Sequence, residues 1–391
     1  MRSVELFAGI GGFRLAADRH GYKTIWANDI CSKACKVYRS QFGGEAITEG
    51  NIYEKLPEIP PHDLLTGGFP CQPFSAAGKK QGIKDPRGTL FSAIVEALEK
   101  HNPKHFVLEN VKRLLHMEKG IHFATILASL AQLDYAIEWR LLNAIHFGLP
   151  QNRQRVFITG IREARHENGN GNQGKTIPAR LASPEDLATL STNKLDWIRS
   201  PEDWTDIGAH GVQFPHWGLA KAGRFIGFTL DKFSAASPPV LLKSVLQDEV
   251  PEEFDFTQST LARIGANTVV DRFVDGVEIL SNQGGGARMG YTIFGINGVA
   301  PTLTSTASRH YERYKIGDKY RRLTNIEYAR IQGFPEDHCS AVSVYDQYAL
   351  FGNAVPPPMA QWVIGRVTTA NGVSSNQIPR KAAQRELFAD A

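Results

Sequence analysis

From Met1 to about residue 165, short apolar runs alternate with stretches in which apolar residues recur every three or four positions. That alternation is the βαβ rhythm of a doubly wound, mainly parallel sheet in an α/β protein. The runs SVELFA, KTIWAND, HDLLTGG, HFVLEN, AIEWRLLN and RVFITGI read as its strands. Between the third and fourth of them, Leu90, Ile94 and Leu98 share one helical face, and His101-Asn102-Pro103 ends that helix before the next strand. After Ile161 the polar stretch IREARHENGNGNQGKT breaks the pattern, and periodicity stays weak to about residue 320. Regularity resumes at RRLTNIEYARIQGF, where Thr324 and Glu327 predict a capping box, and a last helix is expected from within Pro356-Pro357-Pro358 to Gly372. The pattern predicts a first domain over residues 1–165, a smaller second domain over 166–340, a segment 341–372 returning to the first, and a polar tail 373–391.

Composition changes this picture only slightly. At 391 residues the chain is long enough for two cores. A formal net charge of +4 permits a polyanionic partner but suits many other enzymes equally. The four cysteines, Cys31, Cys35, Cys71 and Cys339, form neither a disulfide framework nor a zinc-ligand pattern, so no metal is expected. The N-terminus lacks a signal-peptide layout, and no apolar run is long enough to span a bilayer, so a soluble cytoplasmic protein without membrane contact is expected.

The chemistry concentrates in a few segments. The first strand runs into FAGIGGF, whose small residues let backbone approach a ligand at the carboxyl end of a strand. A tight turn with no ligand has the same glycines, and a nicotinamide dinucleotide is a second alternative, because Asp29 ends the next strand where an acid can bind ribose hydroxyls. Arg14 stands where G-x-G-x-x-G requires its third glycine, which favours a different nucleoside-containing ligand. Cys71 lies between Pro70 and Pro73 in a glycine-flanked turn, with Gln72 and Ser75 as hydrogen-bonding neighbours. The following residues 76 to 88 carry Lys79, Lys80, Lys84 and Arg87, a cationic stretch able to hold phosphates or simply to face solvent. HFVLEN delivers Glu109 to the same sheet edge, as a site carboxyl or a helix-capping acid, and QNRQRVF carries Arg153 and Arg155, whose spacing on a strand points both to one face.

Taken in order, FAGIGGF, GGFPCQPFS, ENV, QNRQRVF, RRLTNIEYARIQGFP and QYALFGNAVPP resemble the cytosine-C5 DNA methyltransferases of bacterial restriction-modification systems. Roughly residues 165 to 300 match nothing, which is where that family keeps its variable target-recognition region. The resemblance implies the S-adenosylmethionine-dependent methyltransferase fold, S-adenosylmethionine as cofactor and double-stranded DNA as substrate. It also implies a cognate restriction endonuclease acting on the same site without stable association; a monomer is expected. By the same resemblance Phe7, Ala8, Gly9 and Gly11 match the cofactor loop, Asp29 the acid on its ribose, and Ile30 the cover of its adenine. Asn51-Ile52 stands where the family commonly has Asp-Ile, which keeps an acceptor and removes a charge, and Leu90, Asn353 and Val355 complete the pocket. Cys71 matches the nucleophile, Glu109 the acid on the cytosine ring, and Arg153 and Arg155 the positioning pair.

A tRNA cytosine methyltransferase shares this chemistry, but the long unmatched region favours duplex DNA, whose grooves need reading surface. A catalytically silent DNA-binding adaptor on the same fold is the rival from another class, and intact Cys71, Glu109, Arg153 and Arg155 argue against it. In NQGGGARMGY, residues 282–291, Arg288 can read a guanine edge and Gln283 can fill the space of a flipped base, or the segment is a plain surface loop.

Overall fold

The computed structural model describes residues 1–70, 90–162, 178–182, 197–198, 214–221, 224–228, 236–283, 292–305, 312–369 and 373–374. Seven strands build the first unit: β1 (Arg2–Leu6), β2 (Lys23–Asp29), β3 (Ile47–Glu49), β4 (Leu64–Gly68), β5 (His105–Val111), β6 (Tyr135–Asn143) and β7 (Gln154–Arg162). They lie in the order β3-β2-β1-β4-β5-β7-β6. The first five run parallel, and β7 runs antiparallel to both β5 and β6. Six of these strands are the predicted ones; β3, with three residues, is too short to show a period.

Helices cover both faces, which explains the unbroken apolar runs of the central strands. On one face α3 (Ile52–Lys55), α4 (Leu90–His101) and α5 (Ile121–Ala131) pack on residues such as Leu65, Phe106 and Leu108. On the other, α1 (Gly12–Asp18) and the last helix meet Leu64, Val107 and Phe157, while α2 (Ser32–Phe42) packs Cys35 and Tyr38 against Ala27. Strand order reverses between β1 and β4, so the loops leaving those two strands open a crevice at the carboxyl edge, where doubly wound sheets hold ligands.

Strands Trp217–Lys221, Arg224–Phe228 and Trp197–Ile198, from the middle of the chain, continue the same sheet beyond β6. A separate five-stranded sheet follows, made by Thr268–Val274, Val277–Asn282, Ile293–Phe294, Arg313–Ile316 and Lys319–Arg321. Beyond α6 (Gln258–Gly265), three C-terminal helices come next: α7 (Asn325–Gln332), α8 (Val344–Asn353) and α9 (Pro357–Thr368). The α7 N-terminus has the predicted capping box, and Arg321 adds two hydrogen bonds to the buried Glu327 carboxylate, at 2.7 and 2.8 Å. Helix α9 ends at Thr368 rather than at Gly372, because Thr369 turns to extended backbone and its hydroxyl bonds the Gly365 carbonyl.

The returning segment is clasped to the first unit just before β7. Arg153, 1 % exposed, donates from Nη1 to the Leu303 carbonyl at 3.0 Å and from Nη2 to the Gly352 and Ala354 carbonyls, both at 2.9 Å. Gln151 beside it donates to Gln332 Oε1 at 3.1 Å and accepts from the Leu303 N–H at 3.2 Å. Arg153→Met should therefore lower unfolding free energy by about 3 kcal/mol or more, because three buried carbonyls lose their donor together. Arg153→Lys should recover only part of this. Denaturant unfolding of both variants checks it, and a loss of stability no larger than that of a surface substitution would remove the clasp from the account.

Candidate active site

A cavity of about 490 Å³ opens at the crevice between β1 and β4. Its lining is drawn from β1, β2, β4 and β5, the loops and helices that follow them, Arg155 of β7 and the α8–α9 junction. The residues expected at the cofactor converge there. Phe7, Ala8 and Gly9 come from the first loop, Asp29 and Ile30 from the end of β2, Asn51 and Ile52 from the start of α3, Leu90 from α4, and Asn353 and Val355 from the C-terminal segment. Gly11 is not in the lining; it caps α1 behind the wall, with φ 84°.

Local sequence explains the shape of this end. Phe7 adopts φ 54°, a left-handed conformation uncommon for a bulky residue and often held at functional sites. Asp29 fastens the loop, since its Oδ2 accepts from the Gly9 N–H at 2.7 Å and its Oδ1 from the Cys31 N–H at 2.8 Å. Burial raises the Asp29 carboxyl above the usual range, and those backbone bonds oppose the rise. Asn51 Oδ1 accepts from the Tyr53 N–H at 3.1 Å and so caps α3, a role an aspartate could equally fill. Gly12 tolerates no side chain, because an added Cβ would stand 2.2 Å from the Val355 carbonyl.

On the β5 side of the cavity, Glu109 pairs in register with Gly68, three residues before Cys71. Glu109 is 8 % exposed, and its Oε1 accepts from Arg155 Nε at 2.8 Å. Burial raises its pKa; the Arg155 and Arg153 guanidinium groups pull the other way. Burial likewise lowers Arg155. Burial thus disfavours the charged form of both partners, while their attraction at 2.8 Å opposes it. The two arginines do not act as a pair on one face. Arg153 precedes β7, outside the alternation of that strand, and its guanidinium goes to the carbonyls of the C-terminal segment; only Arg155 lines the cavity.

Two residues that the sequence reading did not assign to the site belong to this wall. Glu5, 2 % exposed, accepts a hydrogen bond from the Tyr38 hydroxyl at 3.1 Å, and burial pushes its pKa up to about 8. A single acid in an otherwise apolar strand run was the available signal. Asn110 donates to the Phe69 carbonyl at 2.9 Å, tying the end of β5 to the chain just before Pro70. Cys71, Gln72, Ser75, Lys79 and Arg288 lie outside the described residues, and Gln283 stands exposed past the end of strand Val277–Asn282. Among the described residues, no group of three or more histidine, cysteine, aspartate or glutamate side chains is placed to hold a metal, and no helix is long and apolar enough to cross a membrane.

Comparison with known proteins agrees with this geometry. The family model described as C-5 cytosine-specific DNA methylase matches residues 1–218 and 226–369. Type II methyltransferase M1.ScrFI of Lactococcus lactis subsp. cremoris is 33% identical over 371 residues, covering 91% of this chain and 75% of that protein. Type II methyltransferase M.NlaX of Neisseria lactamica is 30% identical over 378 residues, covering 96% and 98% respectively. Among solved structures, the S. pombe Dnmt2 methyltransferase superposes with a TM-score of 0.59 at 18% identity, over 94% of this chain and 98% of that one, a likeness of fold. The chain belongs to the C-5 cytosine-specific DNA methylase family and is a DNA cytosine-5 methyltransferase of the bacterial restriction-modification type.

Proposed function

We propose that the protein takes a methyl group from S-adenosylmethionine and places it on carbon 5 of a cytosine flipped out of duplex DNA, with Cys71 as covalent nucleophile. In its host the modification guards a DNA site against a cognate restriction endonuclease. The observation that carries this reading is the Glu109–Arg155 pair lining the same cavity as Gly9, Asp29 and Ile52. Strands β2 and β5 are three positions apart in the sheet, so these groups are spread over about 14 Å of its edge, a span suited to a nucleoside with an amino-acid arm beside a second, planar substrate.

The residues present fit that cofactor. Asp29 suits ribose hydroxyls, the Asn51-Ile52 turn suits an adenine edge, and Leu90, Asn353 and Val355 suit the methionine arm. Bound S-adenosylmethionine would supply an electrophilic methyl group. Carbon 5 of cytosine is a weak nucleophile, so the Cys71 thiolate adds to carbon 6 and drives electron density toward carbon 5. Glu109 donates its proton to ring nitrogen 3, which keeps negative charge off the ring, and Arg155 orients that carboxyl. After methylation, solvent water takes the carbon 5 proton, the electron pair of that bond re-forms the carbon 5–carbon 6 double bond and expels the Cys71 thiolate, and nitrogen 3 returns its proton to Glu109. Because carbon 6 is shielded inside a stacked duplex, the base must swing out to react. The five-stranded sheet and its flanking segments, within residues 166–340, form the target-recognition region; Lys79 holds phosphate, Gln72 and Ser75 stand beside the base, Arg288 reads a guanine edge and Gln283 fills the space the flipped base leaves.

Cys71→Ser should abolish methyl transfer and retain cofactor binding, since an alcohol is far less ionised than a thiol near neutral pH. Duplex bearing 5-fluorocytosine at the target should trap wild type covalently in denaturing gels, and appreciable turnover by the serine variant would overturn covalent catalysis.

Glu109→Gln should slow single-turnover transfer by about two to four orders of magnitude. The acid works only while protonated, so the wild-type rate should fall as pH rises through its raised pKa, a limb that the glutamine variant lacks. An unchanged rate would make the carboxyl structural.

Arg288→Ala should weaken binding to the cognate duplex by about 1 to 3 kcal/mol and relax preference at one base pair. Titrations with single-base variants at fixed salt decide this, and equal weakening for every duplex would reassign Arg288 to a phosphate.

A further inference from the structure

The loop that follows β1 is held from the far end of the chain. His338, 1 % exposed, places Nε2 at 2.7 Å from the Ile10 carbonyl oxygen, across 328 residues of sequence. Its ring packs on Phe334, with centroids 4.8 Å apart, and on Phe42, at 5.9 Å. The other ring nitrogen, Nδ1, is buried with no partner among the described residues, and burial lowers the pKa of the ring. A neutral imidazole with an unbonded Nδ1 carries its proton on Nε2, which therefore donates to Ile10.

That bond acts on a carbonyl flanked by two glycines. Ile10 lies between Gly9 and Gly11, both left-handed with φ 53° and 84°. Glycine on both sides allows the adjoining peptide planes to rotate at little steric cost, so covalent geometry alone does not fix the Ile10 carbonyl. Rotation would break the Gly11 N–H bond to the Ala8 carbonyl and leave the His338 N–H buried and unpaired, in a loop whose Ala8, Gly9 and Ile10 line the cavity. We propose that His338 is a positioning residue for the cofactor, its hydrogen bond to Ile10 acting with the Gly9 N–H bond to Asp29 and the Gly11 N–H bond to the Ala8 carbonyl to hold the glycine loop in its binding conformation.

The inference rests on the reading of the cavity as an S-adenosylmethionine site, and calorimetric titration of the full chain with that compound separates the two. His338→Phe keeps a ring against Phe334 and Phe42 but removes the donor; its Kd should rise about tenfold, while affinity for duplex without cofactor changes by less than about twofold. His338→Gln restores a donor and should return the Kd to within about threefold of wild type. Wild type that binds no S-adenosylmethionine would overturn the reading of the cavity and this role with it. A Phe variant binding as tightly as wild type, or Phe and Gln variants equally weakened, would overturn the role alone. If neither variant folds, ring-nitrogen NMR of wild type decides: cofactor should shift the His338 Nε2–H resonance, and an unmoved resonance refutes the proposal.

Discussion

A single buried guanidinium holds the C-terminal segment where the cavity needs it. Arg153 has no carboxylate within ion-pair distance among the described residues; its charge is met by the carbonyls of Leu303, Gly352 and Ala354. Burial lowers its pKa, the expected sign for a cation withdrawn from water with only dipoles around it. The planar fork of arginine suits such an arrangement, since its two terminal nitrogens, held apart in one plane, reach three acceptors at once. Because Asn353 sits between the Gly352 and Ala354 acceptors and Val355 follows Ala354, both cavity residues inherit their places from this clasp.

The same constraint explains which parts of the fold were legible. Strand runs such as HFVLEN and helix α4 could be read because burial on both faces, or on one helical stripe, leaves a period in the sequence. The capping box at Thr324 is equally local, with all its partners within three residues. Arg153 and Arg155 show the limit of such reasoning. Alternation assigns residues two apart to one face only inside a strand, and β7 begins at Gln154, so one arginine was free to turn elsewhere. The fates of Glu5, Asn110 and His338 depend on partners 33, 41 and 328 residues away, distances over which no periodicity operates.

At the carboxyl edge, burial and charge are balanced against each other. Glu5, Asp29 and Glu109 line the cavity, and burial raises the pKa of each. Their neighbours differ in kind: a phenol for Glu5, backbone N–H groups for Asp29, a guanidinium for Glu109. Neutral donors let a carboxyl act as a fixed acceptor, which suits the binding of a ligand. The largely buried Arg155 cation favours the Glu109 carboxylate while burial opposes its charge, so the two effects are set against each other there. Three residues of one chemical type thus sit at one sheet edge in three different environments.

The crevice can serve two substrates because it is assembled from both ends of the chain. The N-terminal half contributes the loops after β1, β2, β4 and β5; the C-terminal segment contributes Gly352 to Val355 and, through His338, a hold on the glycine loop. One apolar cluster carries this further, joining Ile10, Ala34 and Val37 near the cavity to Val277, Phe294 and Tyr314 of the five-stranded sheet by way of Tyr328, Phe334 and Phe351. A packed cluster of this kind transmits displacement, because its side chains interdigitate and leave little free volume. The position of the small sheet and the conformation of the cofactor loop are therefore set by the same contacts. A displacement that tightens one of them narrows the freedom of the other, so the two are coupled through the C-terminal segment.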